Sequence, residues 1–139
     1  MISFRDINAE DEENVVNLWK RCELTRGWND PYKDIRFAQK GGTSTVLVGI
    51  VEGRIVASVM VGHDGHRGVL YYLAVDPVFQ KRGFGKAAVI SAETWLRDRG
   101  VWKINLMVRS ENEKTGRFYE RMDYEINPVI SFGKRLDGP

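Results

Sequence analysis

From Val15 the apolar residues Val15, Leu18, Trp19 and Cys22 recur at i, i+3, i+4 and i+7, the spacing that gathers side chains on one face of a helix. Asn8 stands ahead of them as an N-cap, and Glu10-Asp11-Glu12-Glu13 gives the first turn the negative charge that complements a helix dipole. The run Ile2 to Asp6 before it reads as a short strand. Trp28-Asn29-Asp30-Pro31 reads as a turn, with Pro31 suited to the first position of a second helix reaching about Lys40 and ended by Gly41-Gly42. The period then changes. Ser44 to Val51 and Arg54 to His63 are rich in β-branched residues and are joined by Glu52-Gly53, a hairpin signal. Gly62 to Gly68 is the next turn, and it returns the chain into a third such run, Val69 to Val75.

Helical spacing resumes with Phe84, Ala88, Ala92, Trp95 and Leu96 against the polar Lys86, Glu93 and Arg97, and Gly100 stops it. Trp102, Ile104, Leu106 and Val108 then alternate with Lys103, Asn105 and Met107 as a strand. A strand, a helix and a strand in this order form a crossover, so the last strand is expected to run parallel to Val69–Val75. A helix from about Glu113 to Arg121 and a final β segment around Val129 to Leu136 complete a mixed α/β sheet.

The length of 139 residues implies one domain over the whole chain. No apolar run approaches the ~20 residues of a membrane span, and Met1 to Asp6 lacks a signal-peptide pattern, so no membrane partner is expected. The single Cys22 has no internal disulfide partner, in keeping with a cytoplasmic location, and its place on the apolar face favours packing over nucleophilic chemistry. The net charge of +2 is small and the basic residues are scattered, which argues against nucleic acid. No Cys/His cluster has metal-ligand spacing, so no metal is expected.

Chemistry concentrates in Gln80-Lys81-Arg82-Gly83-Phe84-Gly85-Lys86-Ala87. Unpaired N–H groups at a helix start, glycines that let backbone approach closely, and the charges of Lys81, Arg82 and Lys86 together make a cradle for phosphate. A P-loop fails here, because Gln80 stands in place of its first Gly and Ala87 in place of its hydroxyl residue. Gly83-x-Gly85-x-x-Ala88 fits the dinucleotide spacing, but seven residues including Pro77 separate it from the strand end at Val75, and no acidic residue follows at a second strand end.

Gln80-x-x-Gly83-x-Gly85, following Leu73-x-Val75-x-Pro77, resembles the acetyl-CoA signature of the GNAT superfamily of N-acetyltransferases. The family's second mark, an Asn followed seven residues later by Tyr and then Glu, is similar to Asn112 through Glu120, and the likeness spans nearly the whole chain. Trp28-Asn29-Asp30-Pro31 and Gly65-His66-Arg67-Gly68 further resemble the small bacterial YpeA-like proteins. The resemblance implies a mostly antiparallel sheet with a central, splayed parallel pair and about four helices. It also implies acetyl-CoA as co-substrate: its pantetheine arm along Leu73, Ala74 and Val75, its pyrophosphate on the N–H groups of Lys81, Arg82, Gly83, Phe84, Gly85 and Lys86, and Asn112 and Tyr119 near the arm. Tyr119 takes the part of general acid, since a phenol of pKa near ~10 can protonate a thiolate as it leaves. Plain packing of Tyr119 beside Phe118, and a helix N-cap role for Asn112, are the structural alternatives.

Two departures from the family pattern concern the Tyr119 helix, where Gly116 stands in place of a branched apolar residue and Asp123 in place of the Gly usual after the helix. A third concerns the base, because the strand before the cradle offers Tyr71 and Tyr72 and no carboxylate. At pH 7.4 an alkylamine of pKa ~10.4 is neutral in about one molecule per thousand and an α-amine of pKa ~7.8 in roughly a quarter, so the first needs a base more than the second. His66, with His63 and Asp64 on the same turn, is the candidate for that task, an exposed polar turn being the alternative. Trp28, Asp30, His63, Asp64 and Tyr71 are candidates for the acceptor pocket. The activity implied is direct transfer of an acetyl group, in a ternary complex, to a small-molecule amine or an N-terminal amine of a peptide or protein. A non-catalytic acyl-CoA sensor is the alternative, and a homodimer is compatible with either.

Overall fold

A computed structural model describes residues 1–138, in two compact units, Met1–Leu106 and the chain from Met107 onward. In the first unit, β1 (Ser3–Asp6), α1 (Glu12–Arg21), α2 (Pro31–Gln39), β2 (Ser44–Val51), β3 (Arg54–His63), β4 (Gly68–Val75), α3 (Phe84–Arg97) and β5 (Ile104–Asn105) follow in order; the second unit carries α4 (Glu113–Glu120). The sheet order is β1-β2-β3-β4-β5, antiparallel except for the parallel pair β4–β5. The crossover through α3 is the reason for that exception.

Local chemistry sets the boundaries. Asn8 caps a 3₁₀ turn at Ala9–Asp11 that leads into α1, and the Asp11 carboxylate reaches back to the Asn8 N–H at 2.9 Å, a reciprocal capping box. Asp11 also takes two bonds from the Arg5 guanidinium, at 2.7 and 3.1 Å. Asp30 caps α2 through the N–H groups of Tyr32 and Lys33, with Pro31 at the first helical position. Glu52 and Gly53 join β2 to β3 with φ of 49° and 76°, the left-handed pair that a two-residue hairpin uses.

The core lies between the sheet and α1–α2, where Val15, Val16, Leu18, Trp19, Ile35 and Ala38 bury against Val46, Val48 and Ala74. On α3, Ala88, Val89, Ala92 and Leu96 are buried, and Leu96 sits so close to β4 that a Cβ added at Gly68 would lie 2.6 Å from its Cδ1. That approach fixes α3 over the start of β4.

Three expectations are corrected. The strand expected over Trp102–Val108 is confined to Ile104–Asn105, and its ladder to β4 ends at Val69–Asn105. The parallel pair stands at the edge of the sheet instead of its centre. No strand forms around Val129–Leu136: Val129, Ile130, Phe132 and Leu136 are all exposed, and the second unit offers no strand for their backbone to pair with, so alternation alone does not create one. Among the described residues nothing lies beyond β5 in the sheet.

Candidate active site

β4 carries the most distorted backbone of the sheet. Its register against β3 slips between Ser58 and Met60, and Tyr72, a residue with a bulky side chain, sits at φ 52°. A bulge of this kind bends its strand, and left-handed geometry at such a residue costs on the order of 1–3 kcal/mol unless the surroundings impose it. They do so here in three ways. The Tyr72 ring stacks on Trp19, with centroids 3.7 Å apart and planes 7° from parallel. The Trp19 indole N–H donates to Ser58 Oγ at 2.8 Å, and Ser58 Oγ–H donates in turn to the Tyr72 carbonyl at 3.0 Å. The Tyr72 hydroxyl donates to Asp34 Oδ2 at 2.7 Å. Burial first, and then the Asp34 carboxylate, push the Tyr72 phenol well above its ordinary pKa, so it stays a proton donor.

The other edge of β4 is open because β5 is short. β5 pairs only with Gly68 and Val69, so from Leu70 to Val75 that edge has no strand beside it among the described residues. The Asp76 N–H donates to the Val56 carbonyl at 2.8 Å, and by the alternation of an antiparallel ladder Val75 turns its own N–H and C=O to the open side. The Val75 carbonyl is already engaged there, by the Gln80 side-chain N–H at 3.1 Å and the Cys22 thiol at 3.3 Å. Cys22 is half-buried with its thiol pushed up by burial, which is packing chemistry and not that of a nucleophile.

After β4 the chain makes a 3₁₀ turn at Pro77–Phe79, capped by Asp76, and reaches α3 through two left-handed residues, Lys81 at φ 65° and Gly83 at φ 81°. Gly83 is the N-cap of α3 without a side-chain cap, and the first helical bond runs from Ala87 N–H to Gly83 C=O. The N–H groups of Phe84, Gly85 and Lys86 therefore lack helical partners. A Cβ at Gly83 would meet nothing within 4 Å, so glycine is there for its φ and for the open space in front of it. Lys81, Arg82 and Lys86 are exposed around this terminus, and Arg54 and Arg82 lie over the Phe79 ring at 5.5 and 5.1 Å. The arrangement sets unpaired N–H groups and three exposed cations next to an open strand edge.

In the second unit Asn112 caps α4 by accepting from the Thr115 N–H at 3.2 Å. Tyr119 is 7% exposed, edge-on to Phe118 and Tyr124 at 5.1 and 5.4 Å, and burial pushes its phenol up to about 12. Its carbonyl accepts from the N–H groups of Met122 and Tyr124, closing the helix around Asp123 at φ 69°. Asp123 thus does the work for which glycine is the usual choice.

Residues 9–124 match the acetyltransferase (GNAT) family. The chain belongs to that family. An acetyltransferase of Yersinia enterocolitica is 44% identical over 135 residues, covering 97% of this chain and 96% of its own. One of Pectobacterium atrosepticum is equally similar over the same shares. Among solved structures, AAC(6′)-Iy in complex with a CoA-S-monomethyl-acetylneamine bisubstrate analogue superposes with a TM-score of 0.83 at 18% identity, over 98% of this chain and 99% of that one. Glucosamine-6-phosphate N-acetyltransferase from Arabidopsis thaliana gives 0.74 at 23% identity, with 99% of each covered. At such identities these two speak for the fold, while the close relatives make this chain an acyltransferase of the GNAT family.

Within the GNAT framework the sequence-derived residues separate into groups. Leu73, Ala74 and Val75 line the end of β4 next to the Lys81–Lys86 segment. His63, Asp64 and His66 lie at the other end of β4, roughly 23 Å away along a strand rising ~3.3 Å per residue. Asp64 accepts from the N–H groups of His66 and Arg67 at 2.8 and 2.7 Å, and those bonds hold its carboxyl below the usual range; His63 Nδ1 accepts from the Gly65 N–H. His66 itself is exposed. Trp28 is 59% exposed on the segment between α1 and α2, so it is not a core anchor, and Tyr71 is exposed on β4. Sequence reasoning missed Asp34, which reads simply as a favourable charge in the first turn of α2. It also missed Ser58, an unremarkable polar residue in a strand. The described residues hold no cluster of three His, Cys, Asp or Glu placed to share a metal, and no helix long and apolar enough to cross a membrane.

Proposed function

We propose that this GNAT-family acyltransferase moves an acetyl group from acetyl-CoA to an amine by direct attack within a ternary complex. The observation that carries the reading is the pairing of an open β4 edge with the bare N-terminus of α3 behind Gly83. An extended amide-bearing arm can add to the first as a strand does, and a pyrophosphate suits the second. Solved structures of the same fold include AAC(6′)-Iy with CoA and an aminoglycoside acetyltransferase with sisomicin, which supports both a CoA donor and an amine acceptor.

In this reaction the amine nitrogen attacks the thioester carbon, the C–S bond breaks and the thiolate takes the Tyr119 proton, while the amine proton leaves by way of water and the Tyr119 phenolate regains a proton from solvent. Burial makes the Tyr119 phenol a weaker acid than a free one, and a thiolate shielded from water is a stronger base than a solvated one. Asn112 has its side-chain oxygen committed to the α4 cap, which leaves its amide N–H groups for the cofactor arm. His66, with Asp64 shaping its turn, remains the proposed proton acceptor only by way of water, given its distance along β4. The cytoplasm is the setting that the lone Cys22 suits.

Thioester cleavage measured with a panel of small amines, amino acids and N-terminal peptides tests the reading. Turnover that requires an amine supports it. Acetyl-CoA binding by calorimetry without turnover on any amine would support the sensor in its place. In Tyr119→Phe, kcat should fall by about 10² or more with acetyl-CoA affinity within a few-fold. An unchanged kcat would return Tyr119 to packing.

A further inference from the structure

β4 has no acidic residue, yet the fold brings one to it. Asp34 is half-buried on α2, and its carboxylate accepts a hydrogen bond from the hydroxyl of Tyr72, the strained residue of the β4 bulge. It has no ion pair within 4 Å among the described residues, whose cations pair with Asp11, Asp76, Glu12, Glu113 and Asp137. Arg26, close enough to influence the Tyr72 phenol, spends Nη1 on the carbonyls of Glu23 and Thr25. A phenol supplies one donor to a carboxylate that accepts several, and the first turn of α2 offsets only part of its charge. Asp34 is thus a half-buried carboxylate with a tyrosine donor and no ion pair within 4 Å among the described residues, held one tyrosine side chain from the strand that lines the proposed cofactor groove.

We infer that Asp34, oriented by the Tyr72 hydroxyl, binds a positively charged group of the acceptor, and that this group is not the amine that reacts. The second part follows from the direction of the charge effect. A carboxylate against the reacting nitrogen would favour its ammonium form and so suppress the nucleophile, whereas against a second cationic centre it gains binding at no cost to reactivity. The substrate class is therefore amines carrying a further positive charge, such as diamines and polyamines. The inference rests on the N-acetyltransferase reading above, and acceptor preference, separate from turnover as such, decides it.

The test compares 1,4-diaminobutane with butylamine. The native enzyme should prefer the diamine through KM, and Asp34→Asn, which keeps an acceptor for Tyr72 but removes the charge, should raise the diamine KM by about tenfold or more and bring the two amines together. The acetyl-CoA KM should stay within about twofold, and Asp34→Glu should restore part of the preference. Equal preference in the native enzyme and in Asp34→Asn overturns the inference while leaving the acetyltransferase reading intact. Should neither amine be acetylated, calorimetric titration of 1,4-diaminobutane into the CoA-bound protein decides the matter. Binding lost in Asp34→Asn supports the site, and binding that is absent or unchanged overturns it. A failure of the native protein to bind acetyl-CoA is a separate result, against the function itself.

Discussion

The indole of Trp19 on α1 lies flat on the ring of Tyr72 on β4, centroids 3.7 Å apart, while its N–H reaches Ser58 and through it the Tyr72 carbonyl. One side chain thus supports the bulged residue by its ring and by its backbone. Trp19→Phe keeps an aromatic ring but loses the donor and some volume from a fully buried site. We expect a loss of about 1–3 kcal/mol in urea unfolding, with the slope unchanged. A midpoint within error of the native value would show that the bulge does not depend on this contact.

Gly83→Asp should abolish acetyl-CoA binding, since it places a negative side chain in the open space before the α3 N-terminus. Gly83→Asn separates backbone from charge, because Asn tolerates the φ of 81° and carries no charge. Calorimetry should show weakened but measurable affinity for Asn and none for Asp. Native-like affinity in the Asp variant would remove the α3 N-terminus from the mechanism.

Gly116 on α4 has helical geometry without positive φ, and an added Cβ meets nothing within 4 Å. Gly116→Ala should therefore stabilise α4 by up to ~1 kcal/mol. Amide exchange along Glu113–Glu120 should slow, and a destabilised helix would mean that the space is not open.

The Arg5 guanidinium, and after it the Asn8 N–H, hold the Asp11 carboxyl below its ordinary pKa. A depressed folded-state pKa contributes stability that is present above the unfolded value of ~3.9 and is lost as pH falls through the folded one. Asp11→Asn should accordingly be less stable than the native protein at pH 7, with the gap narrowing below about pH 4. A gap that is constant from pH 7 to pH 3 would deny the linkage.

Period and punctuation determined the elements of the first unit. The 3.6-residue stripes marked α1 and α3, Asp30-Pro31 marked the start of α2, and Glu52-Gly53 the hairpin, because each of these signals acts within a few residues of itself. The turn into α3 was legible for the same reason, since glycines, a strand end and a helix start lie in one continuous stretch. What lay between distant segments was not legible. Val129–Leu136 alternates like a strand, but a strand exists only with a partner, and the described residues of the second unit contain none. Asp34 reads as an ordinary charge in a helix's first turn until the α2 packing brings it to Tyr72, 38 positions further on. Nor does anything in Leu70-Tyr71-Tyr72-Leu73 announce that Tyr72 is left-handed. That conformation is unfavourable locally, and only the stack with Trp19 and the bonds to Ser58 and Asp34, all set by tertiary packing, make it the stable one.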